Sequence, residues 1–384
     1  MQGIDEPVGQ PPGGRSASLD GLRGVTIILV MVGHAGDLLW PITRIFDIPG
    51  IRGFFGGGAV GVFFIISGFV VGRGLLRDHR KGELDPVRFY VRRLIRLGVQ
   101  VVPLAIAIVV VRLVDTSDDH PVRFTVLSAL NTVTHTYNQF AATNLLATRS
   151  DLGHMWYLSV LQQVYLVVPL LFLLLARHRR YFTAVLVALI VLSIVWRQHV
   201  LSTQDWVMAT ISTIARADAI LLGLLIALHL DWLRTRLSER VAGGIAMVGM
   251  AIMIGLIAIL KELPGNFNYL KGWGIAFTLT AAVTILGLVL GRASPASKLL
   301  SGSALGSVGR ASFVLFIWHL PVFAFVARHT QAWSWESRTI LALTILGVLA
   351  TVLNITIEEP TRRWLGQNLR PTSGTRPTPE KVSA

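Results

Sequence analysis

Arg23 and His34 lie eleven positions apart in one apolar stretch, Ser18 to Asp37, SLDGLRGVTIILVMVGHAGD. At about 100° and 1.5 Å per residue, that interval is three helical turns plus roughly 20°. The two side chains therefore share one helix face, about 16 Å apart along the axis. A guanidinium is a forked partner for a phosphate or a polarised carbonyl. A buried, neutral imidazole can take the proton of a hydroxyl as that hydroxyl attacks an electrophile. Taken alone, the residues leave a plainer pair of readings open: a histidine hydrogen-bonded between helices, and an arginine snorkelling to lipid headgroups. Arg23 lies several residues inside the stretch, and ionisable residues within a membrane helix tend to face a site.

Other chemistry-bearing residues sit in similar apolar settings. His319 precedes Pro321 by two residues, where the proline should kink a helix and free a carbonyl. A site role and a hydrogen bond at the kink are equally good accounts of it. Arg216 and Asp218 fall mid-helix and point to different faces, so each needs a partner on another helix. Arg23 with Asp218 is one such pairing, and a structural ion pair explains them as well as a site does. Ser67 ends a glycine-rich aromatic helix, and its hydroxyl is better read as bonded to backbone than as a covalent acyl carrier. His154, Trp156, Gln162 and Gln163 cluster toward one end of their helix, where they could touch a substrate; Trp156 suits an interfacial aromatic belt equally.

The elements that must hold these groups are apolar helices. Of 384 residues 53% are hydrophobic and only 15% charged, against about 25% charged in soluble domains; the mean hydropathy is +0.61. Runs of about 18 apolar residues or more are long enough to cross a bilayer. Hydropathy predicts ten spans, near 19–38, 54–72, 94–114, 155–176, 181–197, 206–229, 241–260, 272–291, 310–327 and 339–357. The fold class is all-α, a polytopic transmembrane bundle.

Basic clusters orient it. The arginines between 73 and 96, Arg177 to Arg180, Arg234 to Arg240 and Arg362 with Arg363 all fall on one side if 123–142 does not cross. That stretch, with Asn131, His135, Asn138 and Gln139, is therefore read as re-entrant or lying at the surface. Both termini are then cytosolic. The expected organisation is a disordered cytosolic N-terminus (1–17), one integral domain (18–365) and a disordered Pro/Thr-rich tail (366–384). No cleavable signal peptide and no transporter-type repeat is visible.

Composition also excludes chemistry. With no cysteine, disulfides, thiolate metal sites and a cysteine acyl-enzyme are ruled out. No Cys/His metal spacing or phosphate loop is present, so neither a metal nor a bound cofactor is expected. The net charge of +14 is explained by the positive-inside rule, and no nucleic-acid partner is expected.

Six motifs, in order over residues 18 to 321, resemble the acyltransferase 3 family of membrane acyltransferases. They are Asp20-Gly21-Leu22-Arg23 followed by His34; Gly61 to Phe69; Phe89 to Arg96; Trp156 to Ser159 with Gln163 and Tyr165; Arg216 to Ala219; and Gly309 to Ser312 with Trp318-His319. Leu161 and Gln162 stand where the family segment has two glutamates, so any acidic role there is lost or moved elsewhere. The resemblance implies transfer of an acyl group, often acetyl, from acyl-CoA as co-substrate to a hydroxyl or amine. The acceptor would be a sugar, a lipid-linked glycan or a secondary metabolite. It implies His34 as general base, Arg23 as orienter or phosphate partner, and Arg93, Arg96 and Arg92 at a basic, cytosolic donor mouth. Ser67, Trp156, Gln163, Tyr165, Arg216, Asp218 and His319 are then possible site-lining residues. Many family members carry a further hydrolase-like domain, and none is expected here. The preference for Arg over Lys fits a GC-rich bacterial genome, and the expected location is the bacterial cytoplasmic membrane. The rival class is a transporter whose buried His and Arg bind an anionic solute; a non-catalytic scaffold leaves the intramembrane charges unexplained.

Overall fold

The structure is a computed structural model, and it describes residues 16–41, 58–203, 205–262 and 270–369. In chain order its helices are α1 (Ala17–Leu38), α2 (Ala59–Arg80), α3 (Pro86–Val114), α4 (Val122–Val133), α5 (Tyr137–Thr143), α6 (Trp156–Leu175), α7 (Arg179–Ser202) and α8 (Trp206–Ile211). There follow α9 (Thr213–Arg236), α10 (Glu239–Glu262), α11 (Gly272–Leu290), α12 (Pro295–Leu300), α13 (Ser303–His329), α14 (Trp335–Leu353) and α15 (Glu359–Asn368). A 3₁₀ turn, Ser150–Met155, leads directly into α6. There is no strand among the described residues.

Ten segments are long and apolar enough to cross a membrane, as the hydropathy pattern predicts. Several spans start or run on beyond their hydropathy limits, α2 and α3 among them. Helix α2 continues past its first arginine to Arg80 because Arg73 and Arg80 both reach Asp231 on α9, at 3.0 and 2.6 Å. Helix α3 begins at Pro86 because Asp85 caps it, its carboxylate accepting from the Arg88 N–H at 3.1 Å, with proline at the first helical position. The 123–142 stretch does not cross. Helix α4 has 12 residues, about 18 Å of helix where a bilayer core needs about 30 Å. His135, at φ 56°, turns the chain between α4 and α5. The expected tails, 1–17 and 366–384, lie outside the described residues except at 16–17, where Ala17 opens α1, and at 366–369, where residues 366–368 close α15 as helix and not as disordered chain.

Two seams of backbone contact organise the bundle. Helices α1 and α13 meet where a Cβ on Gly24 would fall within the Leu305 carbonyl, and one on Gly309 within that of Asp20. Helices α2 and α9 meet through Gly68 and Gly223, which face the carbonyls of Ile220 and Ile65. In lipid, where tails are as apolar as leucine, such close approach drives helix association. The first seam places α1, carrying Arg23 and His34, against α13, carrying His319.

Candidate active site

At the end of the bundle away from the arginine clusters, a cavity of about 410 Å³ opens. The last turns of α1, the start of α2, the 3₁₀ turn, α8, α9 and α13 form its walls. His34, Asp37, Asp151, His154, Trp156 and Arg216 bring polar groups to it. The Arg216 guanidinium sits 5.6 Å from the centre of the Trp156 ring, a cation–π contact that carries the arginine beside the cavity wall. Trp156 therefore lines the cavity.

Behind His34 is a histidine cluster. His34 Nδ1 lies 2.9 Å from His319 Nε2. The His319 ring is 5.0 Å from His34 and 5.0 Å from His154, centre to centre. His319 is fully buried and does not itself border the cavity. The proline expectation is met here in atomic terms. Pro321 has no N–H, so the carbonyl four residues back, on Ile317, loses its helical partner. His154 Nε2 donates to that carbonyl at 3.1 Å.

A second cavity, of about 110 Å³, lies further along α1 toward the arginine-rich end. Arg23, Ser67, Arg93, Arg96, Tyr165 and Ser312 line it. Ser67 Oγ is 3.5 Å from the Tyr157 hydroxyl, and the Arg93 guanidinium stacks 4.1 Å from the Tyr165 ring centre. Among the described residues, Ser312 Oγ and Arg93 Nε are buried without a hydrogen-bond partner, which suits a cavity shaped for a polar ligand. A third cavity, about 250 Å³, shares Val70, Val71, Arg93 and Arg96 with the second. Six arginines line it (Arg77, Arg88, Arg92, Arg93, Arg96 and Arg362) against Asp78, Asp85 and Glu358. Tyr157 and Phe316 line both the first cavity and the second. The three spaces thus run in series, from an arginine-lined mouth to His34.

The sequence-derived candidates divide accordingly. Arg23 and His34 share a face but open on different cavities. Arg92, which also donates to the Leu369 carbonyl at 3.1 Å, joins Arg93 and Arg96 at the mouth. Two candidates are placed elsewhere. Gln163 faces away from the cavities: its Nε2 donates to the His135 carbonyl at 2.8 Å and to Asn138 Oδ1 at 2.9 Å, bracing α6 against the turn between α4 and α5. Asp218 pairs with Arg197 of α7 at 2.8 Å, with both side chains buried. Arg23 lies at the second cavity, so the Arg23–Asp218 pairing is replaced by Arg197–Asp218.

Sequence reasoning missed several groups. Asp37, Asp151, Trp206, Thr210 and Phe316 line cavities without belonging to a quoted chemical pattern. The largest omission is Arg149, fully buried, which binds Asp118 at 2.8 Å and Asp151 at 2.6 Å and so pins the 3₁₀ turn that carries His154. Its signal was the Arg149-x-Asp151 spacing next to a polar, non-crossing stretch. Burial pushes the Asp118 carboxyl up, but hydrogen bonds from Arg149 and His120 outweigh it and hold the group down at about 2. Asp151 and Asp118 in turn raise the Arg149 guanidinium against its own desolvation. Burial lowers His135 to about 4.

Three comparisons place this arrangement among known proteins. The acyltransferase 3 family profile, described as an acyltransferase domain, matches residues 16–359. O-acetyltransferase OatA of Staphylococcus aureus (strain NCTC 8325 / PS 47) is 24% identical over 371 residues, covering 90% of this chain and 57% of that protein. Peptidoglycan O-acetyltransferase OatA of Listeria monocytogenes is 26% identical over 370 residues, covering 90% of this chain and 56% of its own length. The chain thus spans little more than half the length of these relatives. No solved structure matches it significantly.

Proposed function

The chain belongs to the acyltransferase 3 family, and from that premise we propose that it is a membrane O-acyltransferase. It moves an acyl group, acetyl by preference, from cytosolic acyl-CoA to a hydroxyl of a glycan acceptor. The observation that carries the reading is the shared wall: Tyr157 and Phe316 border both the His34 cavity and the arginine-lined one. The arginine-rich end is cytosolic, in keeping with the positive-inside rule. The membrane is the bacterial cytoplasmic membrane.

The chemistry follows from position. The anionic nucleotide end of CoA stays at the mouth, held by Arg92, Arg93, Arg96 and their neighbours through charge-assisted hydrogen bonds. The pantetheine arm threads the second cavity past Arg23, Ser67 and Ser312. Arg23 sits about 16 Å short of His34 along the helix, so it serves the arm or its phosphates and not the thioester carbonyl. The thioester reaches the Tyr157–Phe316 level, and the acceptor enters the larger cavity from the other end. Trp156 and Trp206 offer flat apolar faces to a sugar ring; Asp37, Asp151 and Arg216 offer partners for its hydroxyls. His34 takes the acceptor's proton as the hydroxyl oxygen bonds to the carbonyl carbon. The tetrahedral adduct then expels CoA, the C–S bond breaks, and the departing thiolate takes the proton back from His34.

The test uses membranes containing the protein and acetyl-CoA labelled on the acetyl carbon, with wild type beside His34→Ala. Labelled glycan and free CoA in wild type, both absent in the variant, are the expected result. Uptake or export of a solute with no CoA released would point to the transporter class.

A further inference from the structure

We propose that His319 is a positioning residue that fixes which ring nitrogen of His34 carries the base's lone pair; the proposal rests on the reading of His34 as the base. His319 Nδ1 lies 2.8 Å from the Phe316 carbonyl oxygen and 3.1 Å from that of Leu315. A carbonyl oxygen accepts and never donates, so the single ring proton of neutral His319 sits on Nδ1. Its Nε2 is then an acceptor. The 2.9 Å contact between that Nε2 and His34 Nδ1 requires the proton to come from His34. Neutral His34 is therefore the Nδ1–H tautomer, and its lone pair is on Nε2, the nitrogen not held by His319. The α13 carbonyls dictate His319, and His319 acts on His34 alongside a backbone contact of that ring with Val30 on α1.

His154 completes the cluster by the same logic. Its Nε2 faces the Ile317 carbonyl at 3.1 Å, so Nε2 carries its proton. Its ring packs edge-on to His319, interplanar angle 66°, and closes off rotation of that ring. All three rings make these contacts while neutral, with His154 Nδ1 left buried without a hydrogen-bond partner among the described residues, and the neutral forms avoid an unpaired charge in a buried place.

Through the reaction the proton account closes. The acceptor hydroxyl passes its proton to His34 Nε2 as the C–O bond forms. His34 is then an imidazolium, and its Nδ1–H bond to His319 Nε2 becomes charge-assisted. When the C–S bond breaks, the Nε2 proton leaves with the thiolate and both rings return to their starting tautomers. A carboxylate does this orienting work in serine hydrolases; here a neutral imidazole does it without adding a charge.

The decisive measurement is the ¹⁵N spectrum of full-length protein labelled at histidine, with the His34 signals identified by their loss in His34→Gln. The proposal expects His34 protonated at Nδ1 and bare at Nε2 in wild type, and that pattern retained in His319→Gln, whose carbonyl can accept the same bond. In His319→Leu the tautomer should scramble. Label transfer from acetyl-CoA to the membranes' own glycan should fall about 10²-fold in kcat, with KM for acetyl-CoA unchanged, and His319→Gln should recover at least tenfold of that loss. An Nε2–H tautomer for His34 in wild type would overturn the proposal, even if His319→Leu fails to fold. So would a well-folded His319→Leu with wild-type kcat. If His34→Gln itself keeps full turnover, the base assignment fails and this inference with it. An inactive His34→Gln alongside the wrong tautomer overturns the positioning role alone.

Discussion

At the scale of single residues, the account separates side chains that share a face but not a task. His34 borders the larger cavity and Arg93 the smaller, so their losses should divide between kcat and binding. His34→Gln is expected to cut turnover by about 10²–10⁴-fold while donor affinity holds, measured by CoA release beside equilibrium binding of acetyl-CoA. Arg93→Ala removes a partner for an anionic donor at the mouth; about tenfold weaker acetyl-CoA binding is expected, the order of one charge-assisted hydrogen bond. Arg73→Ala is the contrast. Its guanidinium holds Asp231 at 3.0 Å, so donor affinity should stay at the wild-type value. Residue types were legible at this scale and partners were not. The freed Ile317 carbonyl follows from Pro321 alone, but nothing within α13 says that His154 takes it. Likewise Asp218 needed a cation on another helix, and the choice of Arg197 over Arg23 is made by packing, which no local pattern carries.

At the scale of elements, the geometry of the site depends on the glycine seam that holds α1 to α13. Gly309→Ala forces the two backbones apart, at a cost of about 1–3 kcal/mol. A lower melting temperature in detergent should then accompany lost turnover, because His34 and His319 ride on the parted helices. Gly347→Ala, with open space around it, should leave both unchanged. The second element is the ion cluster that pins the 3₁₀ turn. Arg149→Ala leaves Asp151 buried without its cation and Asp118 with only the longer Arg328 contact, at 3.4 Å, and about 3–5 kcal/mol of stability should be lost. Its pH dependence has a definite sign. Asp118 is held below its ordinary carboxylate value, at about 2, so its contribution is whole above pH ~4 and is lost as the pH falls toward 2. Melting temperature against pH should drop in that window for wild type and drop less for Arg149→Ala, where His120 and Arg328 still face Asp118. The spans themselves were readable, because a bilayer demands a long apolar run, and the 123–142 stretch was recognisable as too polar, though only the structure shows that its helix α4 is too short. The cluster was not, since Asp118, Arg149 and Asp151 meet only once α4, the 3₁₀ turn and the end of α3 are folded together.

At the scale of the whole molecule, the bundle carries an arginine-lined opening at one end and a histidine-backed cavity at the other, and aromatic side chains stand between them. Phe316→Trp enlarges the partition. It should leave acetyl-CoA binding at the mouth intact and slow transfer, a split that direct binding and label transfer resolve. The central claim is that donor and acceptor approach from opposite ends and meet at His34. Sealed vesicles with the arginine-rich face outward test it most directly, given acetyl-labelled acetyl-CoA outside and glycan acceptor trapped in the lumen. The account predicts labelled acceptor inside the lumen, and none with His34→Ala. Label found only on acceptor placed on the same side as the donor would contradict it.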